Sequence, residues 1–238
     1  MKHLLSIADL ERSDIERVLE IAESFAAVAD RDIKKVPTLR GRTVVNAGDG
    51  KHEHPSQALL DLFTLLRHVK TLEGREIWIV GDVMHSRVAR SNVLAFTRMG
   101  ARVTVAGPPT LIPRDFEMLG CGLAYDLERL GEADVIYSLR MQHERMTDAF
   151  VPSLREYISC FQIDSRRLQP RQLLMHPGPV NRGVELSAEV IESPQTLIAD
   201  QVASGVVVRM AILYELLTSA RGQAPRSGSP MPTVEQPA

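Results

Sequence analysis

Apolar positions near the start of the chain fall at Leu10, Ile15, Val18, Leu19, Ala22 and Phe25, the three-and-four spacing of an amphipathic helix. Ser13 or Asp9 is available as its cap. The run RTVV, ending at Val45, reads as a short strand. PSQALLDLFTLLRHV then reads as a second amphipathic helix with Pro55 in its first turn. Beyond it, apolar runs and helical patterns alternate. EIWIVGD, RVTVAGPP, GLAYD, DVIYSLR and LLMHPGP have the look of strands. SRVARSNVLAFTRMG predicts a helix closed by Gly100, with shorter helical stretches at PRDFEML, LERLGEA and SLREYIS. A long closing helix is predicted over SPQTLIADQVASGVVVRMAILYELLTS. Strands alternating with helices predict an α/β fold with a doubly wound, Rossmann-like parallel sheet.

Composition narrows the picture in a few places. A length of 238 residues suits one large or two small domains. The net charge of −2 gives no bulk attraction to nucleic acid or to an anionic membrane. The most apolar late stretch is interrupted by Arg209 and Glu215, so it reads as a buried helix rather than a membrane span. Charges at Asp9, Glu11, Arg12 and Asp14 leave no room for the apolar core of a signal peptide. Cys121 and Cys160 lie far apart and lack metal spacing, which points to a reducing cytoplasm rather than a disulfide framework. The segment 220–238 is rich in Pro, Gly and Ser and is expected to be disordered.

Four polar clusters sit at predicted strand ends or helix starts, where open parallel sheets bind ligands. In HEHPSQALLD, His54 and Gln57 stand at the mouth of a helix whose free N–H groups favour an anion or a carbonyl oxygen; a plain capped helix with a surface His is the alternative. VGDVMHSRVARS has Gly81 but no Gly-x-Gly-x-x-Gly, which disfavours a dinucleotide. It places Arg87 and Arg90 at a helix start, against the dipole, so they either bind a carboxylate or pair with Asp82. In SLRMQHERM, Arg140 and Gln142 are two apart in extended chain and can face one side, or they belong to a solvated loop. MHPGPVNRG offers Gly178 and Pro179 in a turn that either brings backbone groups to a ligand or is simply rigid.

Taken together, NAGDGKHEHPSQALLDLFT, IVGDVMHSRVARSN, LRMQHERM and HPGPVNRG resemble the aspartate/ornithine carbamoyltransferase family, in particular catalytic chains of its aspartate branch. ADLERSDIERVLEIAESF and KKVPTLRGRTVV add to the likeness, which runs from about residue 3 to 218. The resemblance implies transfer of a carbamoyl group from carbamoyl phosphate to L-aspartate in pyrimidine synthesis, without metal or cofactor. It implies that His54 and Gln57 contact the carbamoyl group, with His54 the catalytic donor to the developing oxyanion. Gly178 and Pro179 would line the same ligand. Arg87 and Arg140 would grip the two aspartate carboxylates, assisted by Gln142. A homotrimer sharing sites between subunits is implied as well. The ornithine branch typically carries a Cys at HPGP and an SMG motif, and neither is present.

The sequence also departs from the family pattern. Family members follow the RTVV strand with a Ser-Thr-Arg-Thr helix start that cradles phosphate, then a lysine loop and an Arg-His-Pro segment; here Val45 passes straight to Asn46. Parallel strands need a crossover of roughly a dozen residues, so an internal deletion is expected between the two. The expected organisation is a truncated α/β carbamoyl phosphate domain over residues 1–68 with the returning helix 195–219, then an aspartate-binding domain over 69–194. Helix faces in the truncated part should lose their apolar cover. Feeble carbamoyl phosphate binding and little or no turnover are expected. A non-catalytic binding or scaffold subunit is the competing reading.

Overall fold

The computed structural model describes residues 4–29, 45–48, 52–141 and 153–219. Its centre is a parallel sheet of β1 (Glu76–Val80), β2 (Arg102–Ala106), β3 (Gly122–Ala124), β4 (Val135–Ser138) and β5 (Leu173–Met175). The strand order is β3-β2-β1-β4-β5. Ile77 pairs with Val103 on one side and with Val135 on the other, so the winding reverses at β1. That is the doubly wound sheet the alternation predicts.

Side-chain alternation along the strands builds two cores. Ile77, Ile79, Val103, Val105, Val135 and Tyr137 face one side and join a large apolar cluster. Trp78, Val80, Ala106 and Ile136 face the other side, with Ile163, Leu168 and Val190. The larger cluster continues without a break into α1 (Arg12–Ala29), α2 (Pro55–Val69), α3 (Arg87–Arg98) and α6 (Ile198–Ser219). The smaller helices α4 (Leu154–Phe161) and α5 (Ala188–Ile191) complete the set. α6 packs along α1 and α2 and is half buried over its most apolar stretch. Its outer face leaves Val202, Val206 and Leu213 exposed.

Local expectations met two corrections. α1 begins at Arg12, so Ser13 lies inside its first turn, and the Glu11 N–H donates to Asp14 Oδ2 at 3.2 Å. Neither Ser13 nor Asp9 supplies the cap; a run of adjacent polar residues leaves the start ambiguous in sequence. α6 starts at Ile198 rather than near Ser193. Residues before it are taken up by the sheet edge: the Leu174 N–H donates to Gln195 O, and the Leu197 N–H to Leu174 O. Of RTVV, Val45 is described, and it forms an isolated parallel bridge with Leu4. The other three residues, like the segment 220–238, lie outside the described residues.

The central strand sets a stability prediction. Ile79 is fully buried in the larger cluster. Ile79→Ala should lower unfolding free energy by about 2–5 kcal/mol, read from urea denaturation with an unchanged m-value.

Candidate active site

Three segments leave the carboxyl ends of neighbouring strands at the winding switch. The loop after β1 leads to Ser86 and Arg87, the residues after β4 lead to Arg140, and those after β5 form Pro177, Gly178 and Pro179. A fourth segment, the start of α2, brings His54 and Gln57. All of these line one cleft of about 180 Å³.

Two helix N-termini border this cleft, so its field favours anions. α3 is capped by Ser86, whose side chain accepts from the Ala89 N–H. Arg87 stands at its first position and makes no ion pair among the described residues. A second guanidinium comes from Arg140. Arg90, by contrast, pairs with Asp115 at 3.6 Å and lies over the Phe116 ring. Asp82, offered above as a partner for these arginines, is buried against His85, with Oδ1 at 2.8 Å from Nδ1.

His54 is the residue before α2, and its N–H donates to Ser91 Oγ at 2.9 Å. Ser56 Oγ lies 3.3 Å from His54 Nδ1. With that hydroxyl donating, the ring proton sits on Nε2. Next to it, Gly48 has φ +114, and a Cβ there would meet Arg87 Nε at 2.8 Å and His54 Cδ2 at 3.2 Å. Glycine therefore lets this loop close on both site residues. Gly178 has φ +67, and its N–H donates to His176 Nδ1 at 2.9 Å, which shapes the turn on the opposite wall.

Beneath the cleft lies a polar knot centred on Asp61, one turn beyond Gln57 on α2. Its fully buried carboxylate accepts from Gln57 Nε2 at 3.0 Å and Gln201 Nε2 at 2.7 Å on Oδ1. On Oδ2 it accepts from Asn92 Nδ2 at 2.9 Å and the Tyr137 hydroxyl at 2.7 Å. Burial pushes the carboxyl up to about 6, and the four hydrogen bonds hold it below where burial alone would put it. Tyr137 is pushed well above its usual range by burial and by the neighbouring carboxylate. A second buried acid, Glu53, accepts from the Ile7 N–H at 2.9 Å, from Ser91 Oγ at 3.3 Å and from Ser6 Oγ. An adjoining hollow of about 190 Å³ shares Gln57, Pro177 and Gly178 and reaches Arg209.

The structure thus brings together His54, Gln57, Arg87, Arg140, Gly178 and Pro179, six residues singled out from sequence. Gln142 lies outside the described residues. Sequence reasoning missed Ser86, Gly48 and above all Asp61. The signal for Asp61 was a lone acid inside the apolar run ALLDLFTLL. Among the described residues no cluster of His, Cys, Asp and Glu suits a metal ion.

The fold and the cleft together define an α/β protein with a doubly wound parallel sheet and a doubly cationic cleft at its winding switch. The profile described as "Aspartate/ornithine carbamoyltransferase, Asp/Orn binding domain" matches residues 73–216. This chain belongs to the aspartate/ornithine carbamoyltransferase family. The aspartate carbamoyltransferase catalytic subunit of Acidothermus cellulolyticus is 39% identical over 299 aligned positions, covering 91% of this chain and 93% of that protein. The corresponding subunit of Parafrankia sp. is 40% identical, covering 91% and 97%. Both alignments run longer than the 238 residues present here, so each relative carries residues without a counterpart in this chain. Aspartate transcarbamoylase from Trypanosoma cruzi, crystallised with phosphate, shares the fold with a TM-score of 0.77 at 22% identity, covering 91% of this chain and 96% of that one.

Two outcomes follow from this geometry. Asp61 holds its proton more tightly folded than unfolded, so between about pH 4 and 6 the folded state binds more protons and its stability falls as pH rises. The stability of the native chain minus that of Asp61→Asn should therefore decline by up to about 3 kcal/mol across that window, as measured by denaturant titration at each pH. Gly48→Ala should displace Arg87 and weaken binding of a dicarboxylate such as succinate by roughly tenfold or more, with the thermal midpoint of the sheet domain little changed.

Proposed function

We propose that this chain transfers the carbamoyl group of carbamoyl phosphate to the amine of L-aspartate, giving N-carbamoyl-L-aspartate and phosphate, a step of pyrimidine synthesis. The observation that carries this reading is the convergence of two guanidinium groups, an imidazole, a buried amide and a backbone turn on one cleft. The names of the two relatives support the same reaction. In it the aspartate amine attacks the carbamoyl carbon, the bond from that carbon to the phosphate oxygen breaks, and the amine proton is lost as phosphate leaves.

Each side chain has a role suited to its chemistry. Arg87 and Arg140 grip the two carboxylates, one planar fork for each. Gln142 assists them by the family pattern. His54 donates from Nε2 to the carbamoyl oxygen as charge builds on it. Gln57 and the backbone of Gly178 and Pro179 hold the carbamoyl group. Much of the rate comes from fixing two ligands side by side. A cytoplasmic location and a homotrimeric assembly accompany this reading, which requires no metal or cofactor.

Turnover is slow in this proposal, because the phosphate-cradling Ser-Thr-Arg-Thr start, the lysine loop and the Arg-His-Pro segment have no counterpart in the sequence. Losing a single oxyanion donor costs ~10²–10³ in kcat, and here a whole cradle is missing. The competing reading, a non-catalytic binding subunit, rests on the same absent segment and predicts no turnover at all.

Calorimetry and a colorimetric assay for carbamoyl aspartate separate these outcomes. Succinate should bind to the native chain, and Arg140→Ala should weaken it by roughly ten- to hundredfold. Arg140→Lys should not restore the fit, since an ammonium lacks the planar fork. Slow but measurable product supports the enzyme, and its complete absence with succinate binding intact supports the binding subunit. A rate equal to that of a full-length relative would overturn the claim of slow turnover.

A further inference from the structure

We infer that Asp61 is a positioning residue for the carbamoyl end of the cleft: it turns the Gln57 amide so that Oε1 faces the ligand and accepts from a carbamoyl N–H. The inference rests on the carbamoyl reading for the identity of the ligand, whereas the orientation of the amide is a property of the unliganded protein.

The argument begins with what an ionised carboxylate can do. It accepts hydrogen bonds and donates none. Gln57 lies one helical turn before Asp61, with its amide 3.0 Å from Asp61 Oδ1, so the end of that amide facing the carboxylate is the nitrogen. The oxygen is left for the cleft that Gln57 lines. Asn92, Tyr137 and Gln201 take the remaining acceptor sites as three further donors. With every lone pair occupied, the charged form is held in place and the amide has no partner toward which to flip.

The same carboxylate governs the opposite wall. Gln201 donates to Asp61 Oδ1 at 2.7 Å, and its own Oε1 accepts from the His176 N–H at 3.0 Å. That amide is fixed from both ends, and His176 opens directly into Pro177, Gly178 and Pro179. Asp61 itself touches no ligand. It sets a hydrogen-bonding polarity at Gln57 and a backbone position at residues 176–179.

Polarity gives the test. Phosphonoacetamide carries an NH₂ donor where carbamoyl phosphate does, and phosphonoacetate offers acceptors alone. The native chain should prefer the amide by roughly tenfold, the worth of one hydrogen bond made against one refused. Asp61→Leu removes the acceptor that holds the Gln57 nitrogen, so the amide is free to turn and the preference should shrink to about one. Comparing ratios between the two proteins cancels the difference in ligand charge. A variant that weakens both ligands by the same factor overturns the inference, because a merely structural carboxylate would do that.

A second measurement does not depend on ligand or variant. In the unliganded native chain the Gln57 side-chain NH₂ should exchange slowly with solvent by NMR. Exchange as fast as that of a surface glutamine overturns the orientation, even if Asp61→Leu fails to fold. If neither phosphonate binds the native chain, as the missing phosphate cradle allows, the exchange rate alone decides the orientation, and the carbamoyl reading is judged by the product assay.

Discussion

One buried carboxylate receives hydrogen bonds from four side chains that arrive on four different elements or turns. Asp61 meets Gln57 along α2, Asn92 from α3, Tyr137 from β4 and Gln201 from α6. A charge taken out of water is costly unless each of its lone pairs is met. The requirement works in reverse as well: once the charge is buried, the four donors must be where they are. α3 carries Arg87, β4 leads to Arg140, and Gln201 holds the start of the 176–179 turn. The elements that carry the cleft thus share one electrostatic obligation. Helix packing alone fixes such elements to within a side chain's slack, and a fully satisfied buried acid fixes them more closely.

The sheet supplies the complementary rigidity. Its winding reverses at β1, so the loops after β1, β4 and β5 emerge side by side. None of the cationic or turn residues needs a long excursion to reach the cleft. Arg140 follows the last residue of β4 by two positions, and His176 follows β5 directly. His54 and Gln57 come from the other side, at the start of α2. The candidate site is therefore a seam between the carboxyl edge of a stiff parallel sheet and the starts of α2 and α3. The covering helices on the far side of that seam are less completely buried, as the exposed valines of α6 show.

Much of this was legible in the chain, for identifiable reasons. EIWIV and DVIYS announce buried strands because both faces are covered and both must be apolar. His54, Arg87, Arg140 and Gly178 stood out because polar residues at strand ends and helix starts are where such sheets hold ligands. Asp61 did not stand out. On an amphipathic helix a single acid reads as part of the solvated face, and only the positions of α3, β4 and α6 reveal that it points inward. Arg87 and Arg90 show the converse limit. Three residues apart on one helix start, they look equivalent in sequence, and the nearby Asp115 and Phe116 draw one of them away. The onset of α6 was misread because edge pairing of residues 195–197 with β5 depends on a neighbour that no local pattern records.

Glu53 has a consequence that concerns the far end of the polypeptide. Its carboxylate sits immediately before the imidazole and is clasped by Ser6 and Ile7. Ser6 and Ile7 therefore cover a buried carboxylate that adjoins a residue lining the cleft. Any change that pulls these two residues loose lets water onto the acid and slackens the peptide carrying His54, so an alteration some fifty positions upstream in sequence is felt in the cleft.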